Sequence, residues 1–242
     1  LGSNSFIGKE LAKLLIQKKK KVLNINKQLI DLSKKNSFKK LSKIIKKKDT
    51  VIFLAGKVPC KNLRELYYNI SIAKNSANFF AINKVKDFVY FSSDAVYEDS
   101  NKKITENSNI STSSLHGLMH LIREKIFIEI FKKKIIIFRP TLVYGKNDPH
   151  NGYGPNLFVR NALKQKEIKL FGKGEELRDH IYVNDLAKIC VSLILKKKYG
   201  TFNIVTGNII SFFSIAKKIK QIIPDIKIKY KKRVSPMPHN GY

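Results

Sequence analysis

Acidic residues are scarce in this chain. Eighteen Asp and Glu stand against 48 Lys and Arg, which leaves a formal net charge of +30. Cysteine is scarcer still. Cys60 and Cys190 lie far apart with no Cys or His at metal-ligand spacing, so neither a disulfide framework nor a zinc module is indicated. No apolar run approaches the ~20 residues of a membrane span, and no membrane partner is expected. Twelve glycines and seven prolines exclude a collagen-like chain, and 43% hydrophobic residues exclude a mainly disordered one. The expectation is a reduced, soluble, cytoplasmic protein. Its 242 residues suffice for one large domain, or one domain with a small appendage.

The positive charge is clustered rather than spread. Lys18–Lys21, Lys46–Lys48, Lys132–Lys134 and Lys196–Lys198 each stand where an apolar helical pattern ends. Cations there complement the helix dipole at ~0.3–1 kcal/mol apiece. Arginine is scarce, aromatic interleaving is absent, and Ile and Asn are as abundant as a coding bias would make them. Solvated helix ends are therefore the expectation, and a nucleic-acid partner is not. The field would still attract an anionic substrate.

Short β-branched runs alternate with longer amphipathic ones. Val22–Asn26, Val51–Ala55, Phe88–Ser92 and Ile135–Phe138 read as buried strands, and Phe6–Lys19, Ser37–Lys47, Leu63–Asn83 and Ser114–Lys132 as helices. This spacing predicts parallel βαβ units with helices on both faces of the sheet. A helix near Asn184–Lys196 and a strand near Phe202–Val205 extend the same sheet. Asp148, Pro149, Gly152, Gly154 and Pro155 break the pattern over 145–155. A helix follows, then the run Ile168–Phe171 with Gly172 and Gly174 behind it, and these predict a smaller lobe at the carboxyl ends of the strands, where such sheets bind ligands. A dinucleotide-binding region over 1–145 and a substrate lobe over 146–242, with returning elements at about 184–206, is the expected division. The opening Leu1–Gly8 lacks the strand that a phosphate-binding turn requires, and Pro236–Tyr242 stops inside what reads as a loop. The expectation is an internal fragment whose substrate lobe is incomplete.

Gly2, Ser5 and Gly8 form a G-x-x-S-x-x-G turn into the first helix. A glycine at the first place permits a tight turn, and one at the last lets helix pack on strand. The free N–H groups of the helix start suit a pyrophosphate. The same spacing also arises by chance at an ordinary helix entry.

Leu1–Gly8, Asp31-Leu32, Val51–Gly56, Phe91–Tyr97, Phe138–Gly145 and Arg178–Asp185 follow one another as six ordered motifs, and on them the chain resembles the extended short-chain dehydrogenase/reductase family, in its NAD-dependent epimerase/dehydratase group acting on nucleotide sugars. Leu1–Gly8 resemble the TGATGFIG turn, with Ser5 for its middle glycine. Asp31-Leu32 resemble the acidic-Leu pair beside adenine, Val51–Gly56 the VIHLAA strand, and Phe91–Tyr97 the strand end with the catalytic Ser or Thr. Phe138–Gly145 resemble the RPxxVYG segment and Arg178–Asp185 the RDxxYVxD stretch. The resemblance implies a Rossmann-type doubly wound parallel sheet with a smaller substrate lobe. It implies cofactor contacts at Gly2, Ser5, Phe6, Ile7, Gly8, Asn26, Asp31, Leu32, Leu54, Ala55, Gly56, Asn69, Ser92, His120 and Pro140. Ser93, Asn156 and Arg178 would hold the substrate, and Ser93, Asp94, His116 and His120 would carry the catalysis. A homodimer through two helices per subunit is also implied, and the apolar stretch Leu115–Phe131 is compatible with it.

One motif departs from the family. Its Tyr-x-x-x-Lys helix here reads Ser114–Glu124, with His116 at the Tyr position and His120 at the Lys position. Three readings follow. His116 moves the proton, with an imidazole pKa nearer neutrality than a phenol's ~10. Alternatively the site has decayed, leaving a non-catalytic dinucleotide-binding protein. In the third, the i,i+4 pair binds a metal, for which no further ligand suggests itself. Ser93 fits a donor to the reacting sugar oxygen, with a strand-end cap as its plain alternative. Asp94 is followed by Ala95 rather than Glu, which argues against 4,6-dehydration and leaves epimerisation or 4-keto reduction. The fork of Arg178 suits a diphosphate, and an ion pair with a neighbour such as Asp179 is its alternative. Asn156 is a nucleotide-side candidate, while His150 and His180 show no partner pattern and read as surface or loop residues. The resemblance implies NAD as the cofactor, since family members of this type usually use it; NADP is a close second, because Asn24 and Asn26 replace the usual ribose-binding acid and Lys27 could tolerate a 2′-phosphate.

Overall fold

The computed structural model describes residues 1–98, 100 and 102–234. The loop expected over Pro236–Tyr242 lies outside the described residues. Four parallel strands form the central sheet in the order β1 (Thr50–Phe53), β2 (Asp87–Phe91), β3 (Ile135–Pro140) and β7 (Gly200–Ile204). The period-2 alternation of a strand explains how one apolar run serves two cores. Phe88 and Tyr90 point to one face, with Phe53, Ile135 and Ile137, and meet α2 (Ser37–Ile44), α3 (Leu63–Ile82) and α4 (Leu115–Phe131). Val89 and Phe91 point to the other, with Ile136 and Phe138, and meet α1 (Phe6–Gln17) and α6 (Val183–Leu195). The first face is an aromatic cluster. Phe88 stacks on Phe131 at 4.2 Å between centroids and lies 4.7 Å from Phe127.

The expected strand at 22–26 does not form. Among the described residues its ladder bonds are confined to the Ile25 carbonyl, which accepts from the amides of Gly2 (2.8 Å) and Ser3 (3.3 Å). Leu1 in turn lies against β1. Its carbonyl accepts from the Leu54 amide at 2.9 Å and its nitrogen donates to the Ile52 carbonyl at 2.7 Å. Helices α1 and α2 also stop at Gln17 and Ile44, short of the expected Lys19 and Lys47. Lys19 has φ 56°, which ends one helix, and Ile45 is extended, which ends the other.

Beyond the sheet, β4 (Leu142–Tyr144) pairs in parallel with β6 (Leu177–Tyr182), whose other edge takes the antiparallel β8 (Ile209–Ser211). Strands β5 (Glu167–Phe171) and β9 (Lys227–Lys231) make a separate parallel pair. Between them α5 (Pro155–Gln165) and α7 (Phe212–Ile222) bury Phe158, Ala162, Phe212 and Ala216. No helix among the described residues is long and apolar enough to cross a membrane.

Candidate active site

The functional candidates gather at the carboxyl edge of the central sheet, where β1 and β2 lie side by side with Phe53 opposite Tyr90. A cleft of about 240 Å³ opens at the end of β1. Of the residues expected to contact cofactor, Gly2, Ser5, Asn26, Asp31, Leu32, Leu54, Ala55 and Gly56 line it. Leu1, Asn4, Ile25, Lys27, Ile30, Tyr68 and Ile72 complete the wall. Those on the buried faces of the 25–32 turn and α3 had no local signal to mark them.

Gly2 is fixed by space and by backbone. Its φ is +85°, and a Cβ there would stand 2.7 Å from the Ala55 nitrogen. Gly8 sits equally close, 2.7 Å from Ser5 Oγ and 2.9 Å from the Gly2 carbonyl oxygen for a notional Cβ. Ser5 is the N-cap of α1, and its hydroxyl accepts from the Gly8 amide at 3.1 Å. The amides of Phe6 and Ile7 keep no acceptor among the described residues, as the first turn of a helix dictates. Asn26 Oδ1 accepts from the Leu29 amide at 3.1 Å and Asp31 Oδ1 from Ser33. The Ser33 bonds hold the Asp31 carboxyl below its ordinary value. Lys27 lies over the Tyr68 ring at 5.1 Å, and Tyr68 first and Asp31 second favour its charged form.

Phe6, Ile7, Gly8, Asn69, Ser92, His120 and Pro140 are not among the residues lining this cleft. Asn69 is fully buried. Its Oδ1 accepts from the Lys57 amide and its Nδ2 donates to the Lys57 and Glu65 carbonyls, all within 2.9 Å, so the amide pins the loop after β1 to α3. Ser92 and Pro140 are buried at the ends of β2 and β3.

The second group follows β2. Ser93 caps a 3₁₀ turn over Asp94–Val96, where its hydroxyl accepts from the Ala95 amide and donates to Asp94 Oδ1, both at 3.1 Å. The other Asp94 oxygen meets Arg178 Nη2 at 3.5 Å. The partner of Arg178 is thus Asp94 rather than its neighbour Asp179, which is engaged by Thr206 and Gly207. Helix α4 comes very close here because residue 117 is glycine. A Cβ on Gly117 would stand 1.9 Å from the Ala95 carbonyl oxygen. This approach brings His116 beside the Ser93–Asp94 turn.

His116 Nδ1 accepts from the Cys60 amide at 3.3 Å, so in the neutral ring the proton sits on Nε2. His120 Nδ1 is bonded to the Tyr90 hydroxyl at 2.8 Å, and the two imidazole centroids are 4.8 Å apart, edge to face. Burial lowers the pKa of both rings. For His116 the Asp94 carboxylate pulls the other way, and Arg123 pushes further down. His120 lies well below the ordinary value, with His116 and Arg123 adding to burial.

Sequence inspection passed over Arg123, which lies one turn beyond His120. It is 2% exposed, donates to the Ala55 carbonyl, and lies 5.2 Å from the ring centroids of both Phe53 and Tyr90. Its neighbour Glu124 turns instead to β3, gripping Arg139 through two bonds of 2.9 and 2.6 Å while Arg139 Nη1 donates to Tyr97 at 2.7 Å.

Asn156, His150 and His180 have partners in the fold, and of these His180 departs from its expected surface place while His150 stays exposed in its loop. Asn156 spends its amide on structure, accepting from Gly145 and donating to Asp148 at 2.6 Å. His150 has partners after all. Its Nδ1 meets Asp148 Oδ1 at 2.8 Å and its Nε2 the Val58 carbonyl at 3.2 Å, across 92 residues of sequence. His180 is buried rather than a surface residue, donates from Nδ1 to the Arg178 carbonyl and packs edge-on against Phe212. Among the described residues no group of three His, Cys, Asp or Glu gathers as metal ligands.

Known proteins place this arrangement. The chain is 27% identical over 179 residues to dTDP-D-glucose 4,6-dehydratase from Dictyostelium discoideum, a match covering 66% of the chain and 39% of that relative. Thus the chain spans about two fifths of the relative's length. The fold resembles that of a dTDP-4-dehydrorhamnose reductase from Clostridium acetobutylicum at TM-score 0.82 and 22% identity, over 99% of this chain and 85% of that one. It also resembles UDP-glucose 4-epimerase from Thermus thermophilus, solved with NAD, at TM-score 0.83 and 17% identity, over 99% and 88%. Residues 1–205 match the NAD-dependent epimerase/dehydratase family as a whole, and the chain belongs to that family.

Proposed function

We propose that this chain performs NAD(P)-dependent redox chemistry of the epimerase or 4-keto reductase type on a nucleotide sugar. The observation that carries the reading is the adjacency of two groups at one sheet edge. A cleft walled by the Leu1–Ser5 turn, residues 25–32 and Leu54–Gly56 lies next to the Ser93, Asp94, His116 and Arg178 group. The cleft suits a dinucleotide. The Phe6 and Ile7 amides at the start of α1, beside the Ser5 edge of the cleft, would bond a pyrophosphate, and the glycine-built turn would let it approach the backbone. Asn26 and Asp31 would face the adenosine half, with NAD the cofactor and Lys27 able to accommodate the 2′-phosphate of NADP. When bound, the nicotinamide supplies reversible two-electron redox capacity.

The chain's own residues do the rest. The Ala95 amide holds Ser93 Oγ in place to bond a sugar oxygen. His116 Nε2 is a second group for that oxygen. With Nδ1 taken by the Cys60 amide it offers a hydrogen bond, and it accepts a proton only if the ring changes tautomer. Arg178 would leave Asp94 for the substrate diphosphate, an exchange helped by the long 3.5 Å contact. Ala95 in place of a second acid weighs against dehydration. Leu63, Tyr67 and Ile82 on α3 and Leu118 and Ile128 on α4 remain exposed, which fits a homodimer through these two packed helices. The rival reading, a non-catalytic dinucleotide binder, draws on the internal hydrogen bonds of Ser93, His116 and His120.

The test is calorimetric titration of NAD and NADP in both redox states, followed by turnover of nucleotide sugars by wild type and His116→Phe. Cofactor binding with turnover lost in the variant is expected. Binding without turnover on any nucleotide sugar selects the rival, and no binding by the folded chain refutes both.

A further inference from the structure

Arg123 is a buried cation without a carboxylate partner among the described residues. Its guanidinium rests on one carbonyl, that of Ala55, and on the faces of Phe53 and Tyr90, while Nη1 meets the Met119 sulfur at 3.5 Å. Nε is buried and makes no hydrogen bond. Such a charge costs several kcal/mol relative to solvent, and the fold makes room for it. Residue 56 is glycine, and a Cβ there would stand 2.9 Å from Arg123 Nη1. The arginine therefore lies directly behind the cleft wall at Ala55 and Gly56.

Its surroundings connect it to both imidazoles. Tyr90, under the guanidinium, bonds His120, and His120 meets His116 edge to face. The groups facing the pair are Tyr90 from β2, the Cys60 amide from the loop after β1, Asp94 from the 3₁₀ turn and Arg123 from α4 itself. Among the described residues Asp94 is the anion that acts on His116, with Arg178 drawing part of its charge away, while Glu124, four residues beyond His120 on α4, acts on Tyr90. A fixed positive charge in a dry site opposes the arrival of another.

We propose that Arg123 is a positioning residue that helps keep His116 uncharged, while the Cys60 amide fixes its tautomer, so that His116 meets the reacting sugar oxygen as an imidazole offering Nε2–H. The oxygen is then polarised by a hydrogen bond in company with Ser93, and the imidazole carries no charge of its own between turnovers. This role rests on the redox reading above, whereas the ring's charge and tautomer can be measured without any substrate. The direction of the His116 and His120 pKa shifts agrees with it, since burial leads and Arg123 adds to the lowering in each.

The experiment is nitrogen-15 NMR of the full chain labelled at its histidines, with titration of His116 and His120 in wild type, Arg123→Met and Arg123→Lys. In wild type His116 is expected as the Nε2–H tautomer, with a midpoint below the ordinary imidazole value. In Arg123→Met both midpoints rise, and in Arg123→Lys they stay low. Removing an unpaired buried charge for an apolar chain of similar length leaves folding unharmed or improved, so the methionine variant remains measurable. Should the lysine variant misfold, Lys125→Gln serves as the exposed control on the same helix, with unchanged midpoints. A His116 midpoint unmoved in Arg123→Met, or a wild-type ring protonated on Nδ1, overturns the proposal. Absence of turnover with these shifts present would count against the enzyme reading alone.

Discussion

Gly117→Ala tests the placement of α4 more severely than any change to a polar side chain. The added methyl would stand 1.9 Å from the Ala95 carbonyl oxygen and 2.1 Å from Thr112 Oγ1, whereas real Cβ atoms keep outside 3.0 Å. Thr112 can rotate away, but Ala95 is backbone in the turn that Ser93 caps. The helix start or the turn must therefore retreat by about 1 Å. Overpacking of this kind costs about 1–3 kcal/mol. A misplacement of ~1 Å between His116 and Ser93 lowers turnover by about 10²-fold. The cleft at Gly2 is built by other elements, so cofactor affinity stays within about twofold. Urea unfolding, calorimetric titration and nucleotide-sugar turnover measure the three effects. A stability within about 0.5 kcal/mol of wild type would refute the close approach and with it the route by which His116 reaches the turn.

Two further tests address the core. Glu124→Leu leaves Arg139 buried without its carboxylate and is expected to cost about 3–5 kcal/mol, while the double variant with Arg139→Met regains most of that loss in chemical denaturation. His180 is held neutral, its pKa lowered by burial from 6.5 to about 4. Between those pH values the unfolded chain binds a proton that the folded chain refuses. Stability is therefore full above pH 6.5 and falls by roughly 3 kcal/mol as pH drops to 4, and His180→Phe removes that part of the slope.

The strands of the central sheet were legible because a doubly covered strand must be apolar at every position, and 51–53, 88–91 and 135–138 are. The run 22–26 carries the same local signal, but among the described residues it is tied to its neighbour through the Ile25 carbonyl alone. The glycine turn was legible for a related reason, as only glycine satisfies φ +85° against the Ala55 backbone. Side-chain destinations were not. Asn69 and Asn156 are amides near a cleft, and nothing local distinguishes one that faces a ligand from one that closes a loop 12 or 11 residues away. His150 and His180 found their partners through the fold, one across 92 residues and one against Phe212. Arg123 follows His120 in a helix where no local pattern marks a buried cation, and the room for it comes from Gly56 in another element.

The two arginines near α4 show how the site comes to hold an unbalanced charge. Residues 123 and 124 lie about 100° apart around a helix, so they face different strands. Glu124 turns to β3 and is consumed by Arg139, whose second partner is Tyr97. Arg123 turns to β1 and β2, where the neighbours are Phe53, Tyr90 and a carbonyl. Both Glu124 oxygens are taken by Arg139 in a bidentate pair, the stronger arrangement. The sheet edge therefore keeps a net cation behind Ala55 and Gly56, in a place that side chains alone do not neutralise. A pyrophosphate held at the Leu1–Ser5 turn, as proposed, would enter that field from the cleft side, and its charge would offset part of the burial cost of Arg123. A ligand that binds the folded chain alone raises its stability by RT ln(1 + [L]/Kd), so the proposed dinucleotide would raise the melting temperature of wild type more than that of Arg123→Met. In Arg123→Met, affinity for the dinucleotide falls while the stability of the free chain does not.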